Sequence, residues 1–344
     1  MNETIMLSEI KAQPELIKRC METNRELIKE IGQAIKEFKP TNVLIAARGT
    51  SLHSGMLAKY LFQLYYHLPV SIATPSVFTV YDGEVDLSKT LVIAISQSGK
   101  GKDIWKVVEK ANKCNALTVG ITNTKGSIIA NECKYNLWND VDEAKSYAAT
   151  KTYTSSLYLL IALIHELTDH EDLNLENDKI IAALNEGFNH YEEIKALAPI
   201  LKDAENTLVM ARGKDLSLAM ELALKIKETS HYPVHAYPCS EFYHGPIVMV
   251  SEKTPTILFG VDKVTNDNIL KTIKDLKTLN AKTIAFTNNQ EIANEADNAI
   301  YYNVEDKYAI FTSAIVLQLF TNELSVLRGN NPDFHKVLEH IDTI

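Results

Sequence analysis

The amino-acid sequence repeats itself at a distance of almost half the chain, and this repeat constrains the fold more than any other feature. The tripeptide Ala-Arg-Gly at residues 47–49 recurs at residues 211–213, a shift of 211 − 47 = 164 residues. Residues 116–123 recur in similar form at 281–288, a shift of 281 − 116 = 165 residues. A repeat of this length indicates a duplicated domain rather than a solenoid of short units.

Each copy alternates short β-branched runs with longer amphipathic stretches. The short runs are almost continuously hydrophobic, as in parallel strands that are covered on both faces. Strands that alternate with helices form βαβ units in a doubly wound sheet. The sequence therefore predicts an α/β fold of two tandem three-layer domains. Residues 1–170 form the first domain, with a leading helix, and residues 171–344 form the second, with a C-terminal tail.

Composition argues against several classes of partner. Lysine and arginine total 35 against 44 aspartates and glutamates, so the net charge is −9, which disfavours binding to nucleic acid or to anionic membranes. The apolar stretch at residues 158–164 is too short to cross a bilayer. Four scattered cysteines and the lack of a recognisable signal peptide or ligand cluster predict a cytoplasmic protein without metal, nucleotide or redox cofactor.

A hydroxyl-rich loop follows one of the hydrophobic runs. Residues 91–95 read as a strand that leads into Ser-Gln-Ser-Gly at 96–99, and a helix is expected from about Asp103. Such a loop presents backbone amides and the positive end of a helix dipole, which together bind phosphate. Arg-Gly-Thr-Ser at 48–51 predicts a second turn of this kind after the preceding core strand. Two converging loops would surround one phosphate at the carboxyl edge of the sheet.

The alternative is that serine and glycine only close tight turns. The second copy has Gly-Val-Asp at 260–262 in the corresponding place, without the hydroxyls. Only the first copy is therefore expected to bind phosphate.

Three charged residues in the second copy share one helical face. Glu221, Lys225 and Glu228 are spaced at i, i+4 and i+7. From this spacing alone, an ordinary surface helix with ion pairs is the simpler interpretation. Lys225 would then do no more than pair with one of the two glutamates.

Several of these motifs, in the same order, resemble the SIS (sugar isomerase) domain: residues 47–51 (ARGTS), 96–99 (SQSG) and 149–154 (ATKTYT). The resemblance covers nearly the whole chain and extends to the tandem isomerase half of glucosamine-6-phosphate synthase, SIS-type glucosamine-6-phosphate deaminases and fructosamine-6-phosphate deglycases. It does not extend to the glutaminase domain of the synthase, because residue 2 is Asn2 rather than the nucleophilic cysteine. Glutamine hydrolysis is therefore not expected.

The resemblance implies a set of substrate-binding positions. The family's sugar-phosphate binders fall on Thr50, Ser51, Ser96, Gln97 and Ser98. Gly101 stands where the family has a threonine, and Ala149 stands where it has a serine.

The resemblance also implies catalytic roles. The glutamate that moves a proton between sugar C1 and C2 falls on Glu228, and the ring-opening histidine falls on His244. Histidine exchanges protons near neutral pH, which suits ring opening. Lys225 is a neighbouring cation that tunes the charge, and Glu221 is grouped with the substrate-binding residues. The family's histidine acts across a subunit boundary, so a homodimer is expected.

The C-terminal tail departs from the synthase. There a tail lysine covers the active site and can form a Schiff base. In this chain His340 takes its place, and Lys336 is a substitute amine. Histidine cannot form a productive imine, so the ring-opening route or the substrate is expected to differ. The alternative is a frayed end of the chain.

Together these features predict an isomerase or deaminase of an amino sugar 6-phosphate, with a small-molecule sugar phosphate as ligand. A fructosamine-6-phosphate deglycase and a non-catalytic sugar-phosphate sensor are the alternatives. The retention of both Glu228 and His244 argues against a pure sensor.

Overall fold

The computed structural model describes residues 3–334. They contain two five-stranded sheets in which every strand pair is parallel. Helices flank both sheets, so each copy is a three-layer α/β domain. The predicted fold class is confirmed.

The first sheet has the strand order β2-β1-β3-β4-β5. Its strands are β1 (Asn42–Ala47), β2 (Val70–Ile72), β3 (Thr90–Ile95), β4 (Leu117–Thr122) and β5 (Tyr135–Trp138). The helices in the first half of the sequence are α1 (Ile5–Lys11), α2 (Gln13–Phe38), α3 (Gly49–Tyr65), α4 (Pro75–Thr79), α5 (Lys102–Lys113), α6 (Ile128–Glu132) and α7 (Lys151–Thr168).

Burial explains why the central strands are apolar throughout. Every residue of β3 is buried, and Val92 and Ala94 pack with Val107 and Val108 of α5 on one face of the sheet. On the other face α3 approaches closely at Gly55, where a Cβ atom would lie 2.8 Å from Cγ2 of Ile45. A strand that is covered on both faces needs hydrophobic residues at consecutive positions, which is the pattern in the sequence.

The second sheet has the order β10-β9-β8-β6-β7, the same arrangement as the first when read from the other end. Its strands are β6 (Thr207–Ala211), β7 (Val234–Pro238), β8 (Thr256–Gly260), β9 (Thr283–Thr287) and β10 (Asn298–Tyr301). The helices of this half are α8 (Asn177–Asn189), α9 (Tyr191–Leu197), α10 (Leu216–Ser230), α11 (Cys239–Phe242), α12 (Asn266–Thr278), α13 (Gln290–Glu295) and α14 (Asp306–Leu327).

The chain forms two compact units that are not contiguous in sequence. Among the described residues, 15–143 and 151–175 form the N-terminal unit, while 3–14, 144–150 and 176–334 form the C-terminal unit. The predicted division between residues 170 and 171 assigned residues 3–14 and 144–150 to the first domain, whereas in the structure they belong to the C-terminal unit.

Hydrogen bonds show how the short segments join the C-terminal unit. The Glu9 carboxylate of α1 accepts from the Lys145 amide at 2.7 Å and from the Ser146 hydroxyl at 2.6 Å. Thr4 donates to Asn322 of α14 at 2.6 Å. These buried and half-buried polar contacts make α1 part of the C-terminal core rather than a leader of the first sheet.

Among the described helices, α14 is long and apolar enough to cross a membrane by length and composition alone. However, 83% of its apolar window is buried inside the structure, so it serves as the central helix of the C-terminal core. Phe320 of this helix packs edge-on against Phe286 of β9, with ring centroids 5.5 Å apart.

Candidate active site

Two loops of the N-terminal unit leave the sheet at the same edge. Strands β1 and β3 are neighbours, and Ala47 is paired with Ile95 at their carboxyl ends. The residues that follow, 48–51 and 96–99, are therefore adjacent. Arg48 at the first loop donates to the Asp103 carboxylate of α5 at 2.8 Å, which ties the first loop to the helix that follows the second.

The first loop differs in detail from the sequence prediction. Residues 48–51 were expected to form a turn, but α3 already begins at Gly49, which has a φ of 50°. Thr50 and Ser51 therefore lie in the first turn of a 17-residue helix, and both are half-buried. A first turn has unpaired amides and the positive end of the helix dipole, so this geometry also favours an anion.

The second loop is held in place through its carbonyl groups. The Gln97 carbonyl accepts from the Asn123 amide at 2.9 Å, and the Gly99 carbonyl accepts from the Ile129 amide at 3.1 Å. By contrast, the backbone amides of Gln97 and Ser98 donate to no residue that the structure describes. A fixed loop with two open amides and neighbouring hydroxyls is suited to bind a phosphate.

The end of this loop admits only glycine. Gly99 has a φ of 62°, and a Cβ atom there would lie 1.9 Å from the Ser127 hydroxyl oxygen. That hydroxyl is buried and has no hydrogen-bond partner among the described residues. Gly101 differs, since a Cβ atom there would meet Ile104 at 3.8 Å, an ordinary contact. Position 101, where the family has threonine, therefore has room for a side chain.

In the second copy the corresponding amides are occupied. The shift of 164 residues places Val261 and Asp262 where the first copy has Gln97 and Ser98. The buried Asp215 carboxyl group accepts from the Val261 amide at 2.9 Å and from the Asp262 amide at 3.0 Å. The two copies thus differ at this pair of backbone amides: those of Gln97 and Ser98 have no acceptor among the described residues, whereas those of Val261 and Asp262 donate to Asp215.

The buried Asp215 should make stability depend on pH. Burial raises the pKa of Asp215 from 3.8 to about 7, although hydrogen bonding from the Val261 amide lowers it. The unfolded chain ionises near pH 3.8 and the folded chain near pH 7, so this group makes the fold less stable as pH rises between those values. From pH 5 to pH 8, the free energy of unfolding of Asp215→Asn should rise by roughly 2–3 kcal/mol relative to wild type.

Urea unfolding of both proteins at the two pH values measures this difference. An unchanged difference would show that the carboxyl group ionises at its ordinary pKa.

The three charged residues of α10 form a buried group. The side chains of Glu221 and Lys225 are 0% and 1% exposed. The Lys225 ammonium donates to the Glu228 carboxylate and lies 3.8 Å from Glu221. Burial alone would lower the pKa of Lys225, but the two carboxylates outweigh it and raise the pKa above its ordinary value. The surface-helix interpretation is therefore wrong, since the lysine is a buried cation between two acids.

Of the two acids, only Glu228 is accessible. Its side chain is 22% exposed, whereas that of Glu221 is fully covered. Solvent therefore reaches the side chain of Glu228 but not that of Glu221, which is the second partner of the lysine.

Sequence reasoning missed Tyr147. Burial raises the pKa of this tyrosine, and the negative charge of Glu228 raises it further, so its hydroxyl lies within electrostatic range of Glu228 and Lys225. Its backbone amide donates to the Asp333 carbonyl at 3.1 Å. The one sequence signal is its position two residues before the ATKTYT motif at 149–154.

His244 is exposed in the turn after α11, and its side chain forms no hydrogen bond or ion pair with another described residue. The apolar side chains of Val248 and Met249 nearby are 86% and 43% exposed. Lys336 and His340 lie outside the described residues.

Comparisons with known proteins agree on one family. The model of the SIS domain matches residues 38–166 and again 200–328. An isomerizing glutamine–fructose-6-phosphate aminotransferase of Thermococcus kodakarensis is 30% identical over 339 residues, which cover 95% of this chain. The match spans only 56% of that relative, so the chain is about half its length.

Solved structures share the whole architecture. The C-terminal domain of glucosamine-fructose-6-phosphate aminotransferase from Francisella tularensis has a TM-score of 0.86 and 25% identity, covering 97% of this chain and 99% of that one. Glucosamine-6-phosphate deaminase from Thermotoga maritima has a TM-score of 0.78 over 99% of both chains, but its 19% identity supports the fold alone.

Proposed function

Because the chain belongs to the SIS domain family, with a function of the phosphosugar isomerase type, we propose that it converts an amino sugar 6-phosphate by proton transfer between C1 and C2, with release of ammonia. One observation carries this proposal. The amides of Gln97 and Ser98 are open in the copy that has the hydroxyls, whereas Asp215 occupies the equivalent amides in the copy that lacks them.

The N-terminal loops bind the phosphate group in this proposal. The open amides donate to phosphate oxygens, and the hydroxyls of Thr50, Ser51 and Ser98 add neutral donors. Backbone amides suit this chain because its net charge of −9 offers no general attraction for anions. The phosphate thereby fixes the sugar, which leaves its reactive carbons to the acid–base groups.

Glu228 carries the proton. After ring opening it removes the proton from C2 of the amino sugar, which leaves an enolamine, and returns a proton to C1. The resulting C2 imine is hydrolysed by water to the ketose and ammonia. Lys225 holds Glu228 in place, because its buried ammonium donates a hydrogen bond to the carboxylate. Glu221 and the Tyr147 hydroxyl complete the polar surroundings.

His244 opens the sugar ring in this scheme, and it acts in the site of a second subunit of a homodimer. Its exposed side chain and the exposed Val248 and Met249 beside it support this arrangement, because apolar residues around a functional side chain suit a protein interface. An active monomer in a solution-mass measurement would contradict it.

The nitrogen chemistry is supported by the names of two similar proteins. One is an isomerizing glutamine–fructose-6-phosphate aminotransferase, and the other is the C-terminal domain of a glucosamine-fructose-6-phosphate aminotransferase. Both names combine a hexose 6-phosphate with a nitrogen group.

A panel of sugar 6-phosphates, with products identified by mass, tests the proposal. Glucosamine 6-phosphate should give fructose 6-phosphate and ammonia, while a glycated fructosamine 6-phosphate should remain unchanged. Turnover of the glycated substrate alone would assign a deglycase instead. Binding of all the sugars without turnover of any would assign a sensor.

A further inference from the structure

The duplicated fold carries two copies of the same strand-to-helix turn. In each copy the first strand ends at the alanine of Ala-Arg-Gly, and the glycine that follows has a positive φ: 50° at Gly49 and 67° at Gly213. The residue two places after that glycine is Ser51 in the first copy and Asp215 in the second. In both copies the neighbouring strand, β3 or β8, ends beside it.

The amides at the end of the neighbouring strand correspond one to one. Ile95 pairs with Ile121, and Phe259 pairs with Phe286, which are equivalent positions of the repeat. Gln97 and Ser98 are two and three residues beyond Ile95, as Val261 and Asp262 are beyond Phe259. The pair of amides that is open in one copy is therefore the same pair that Asp215 occupies in the other.

We infer that the carboxyl group of Asp215 takes the place of a ligand phosphate, so that the C-terminal copy is a second phosphate site filled by the protein itself. The inference rests on the proposed phosphate-binding role of the first copy. Asp215 is 1% exposed, and one of its oxygens accepts from both amides, as a phosphate oxygen would. The chain accordingly binds one sugar phosphate, although it has two phosphate turns.

The surroundings of Asp215 retain part of an anion site. The Lys214 ammonium lies 3.5 Å from the Asp262 carboxylate, and the Thr265 hydroxyl donates to the Asp262 carbonyl at 3.0 Å. Asp262 itself would repel a phosphate, and its counterpart in the first copy is Ser98. Reopening the second site therefore requires serine at both acidic positions.

Exchanging the residues between the two copies tests the inference. Inorganic phosphate is the probe, and equilibrium dialysis measures how many phosphate ions each chain binds and how tightly. Ser51→Asp should weaken phosphate binding about a hundred-fold or more while the protein stays folded, because the new carboxyl group takes both amides. The matched control Ser51→Ala removes only the hydroxyl and should weaken binding less than ten-fold. The double variant Asp215→Ser, Asp262→Ser should bind one phosphate more than wild type.

Unchanged binding by Ser51→Asp, or no additional phosphate in a folded double variant, would overturn the inference. If the double variant does not fold, Ser51→Asp decides alone. Failure of the proposed phosphate-binding role of the first copy gives a different result, because wild type would then bind no phosphate, while the double variant would still gain one. Failure of the catalytic proposal alone would abolish turnover and leave these phosphate counts unchanged.

Discussion

Replacement of Glu228 by glutamine is expected to reduce turnover by roughly 10²–10⁴-fold, the range that general acid–base catalysis contributes. Glutamine keeps the size of the side chain but can neither take the proton from the sugar nor return it. Binding of the sugar phosphate should stay within about threefold of wild type, because the phosphate loops belong to the other unit of the chain. Steady-state kinetics and direct binding measurements separate these two effects.

Glu221→Gln is the matched control for this prediction. It removes the other carboxylate of the same buried lysine, but its side chain is 0% exposed and out of reach of a substrate. Its main effect should fall on stability, because an ammonium that loses one of its two buried partners is less well compensated. Unchanged turnover in Glu228→Gln would refute the proton shuttle, as would an equal loss of turnover in both variants.

Gly99→Ala is expected to abolish measurable sugar-phosphate binding, with a loss of at least a hundred-fold. The added methyl group would lie 1.9 Å from the Ser127 hydroxyl oxygen, and the φ of 62° is unfavourable for alanine. The loop must shift to relieve the contact, and the shift displaces the amides of Gln97 and Ser98. Calorimetric titration with the sugar phosphate, alongside thermal melting, measures the loss.

Gly126→Ala separates the clash from the backbone strain. Its φ is 72°, but a Cβ atom there would meet nothing within 4 Å. This variant should bear the cost of alanine at positive φ, of order 1 kcal/mol, without moving the phosphate loop. Equal binding by Gly99→Ala and wild type would show that the loop does not hold the phosphate.

Local patterns predicted the fold well, because each pattern has one dominant physical cause. The consecutive hydrophobes of β3 require cover on both faces, and parallel strands between helices provide it. The repeat at 164 residues predicted a duplicated domain, and the two sheets share one strand order. The start of α3 was harder to predict from the sequence, because a glycine at positive φ, such as Gly49, can either close a turn or begin a helix.

The candidate site depended more on contacts that are distant in sequence. The spacing of Glu221, Lys225 and Glu228 placed them on one helical face but could not show that the face is buried. The proximity of Tyr147 to that group requires a segment almost eighty residues away, which no local pattern encodes. Asp215 likewise reads as an ordinary aspartate until the fold brings two amides to its carboxyl group.

The discontinuous C-terminal unit has a consequence for biosynthesis. Helix α1 is translated long before residues 322–333, yet the contact of its N-cap residue Thr4 with Asn322 and the capping of its Ile5 and Met6 amides by Asp333 require those residues. The N-terminal unit can close once residue 175 has left the ribosome, whereas α1 must wait through the synthesis of the second half. A fragment that starts at residue 171 would lack a piece of its own interior, so the two halves cannot be expressed separately by cutting at the midpoint of the repeat.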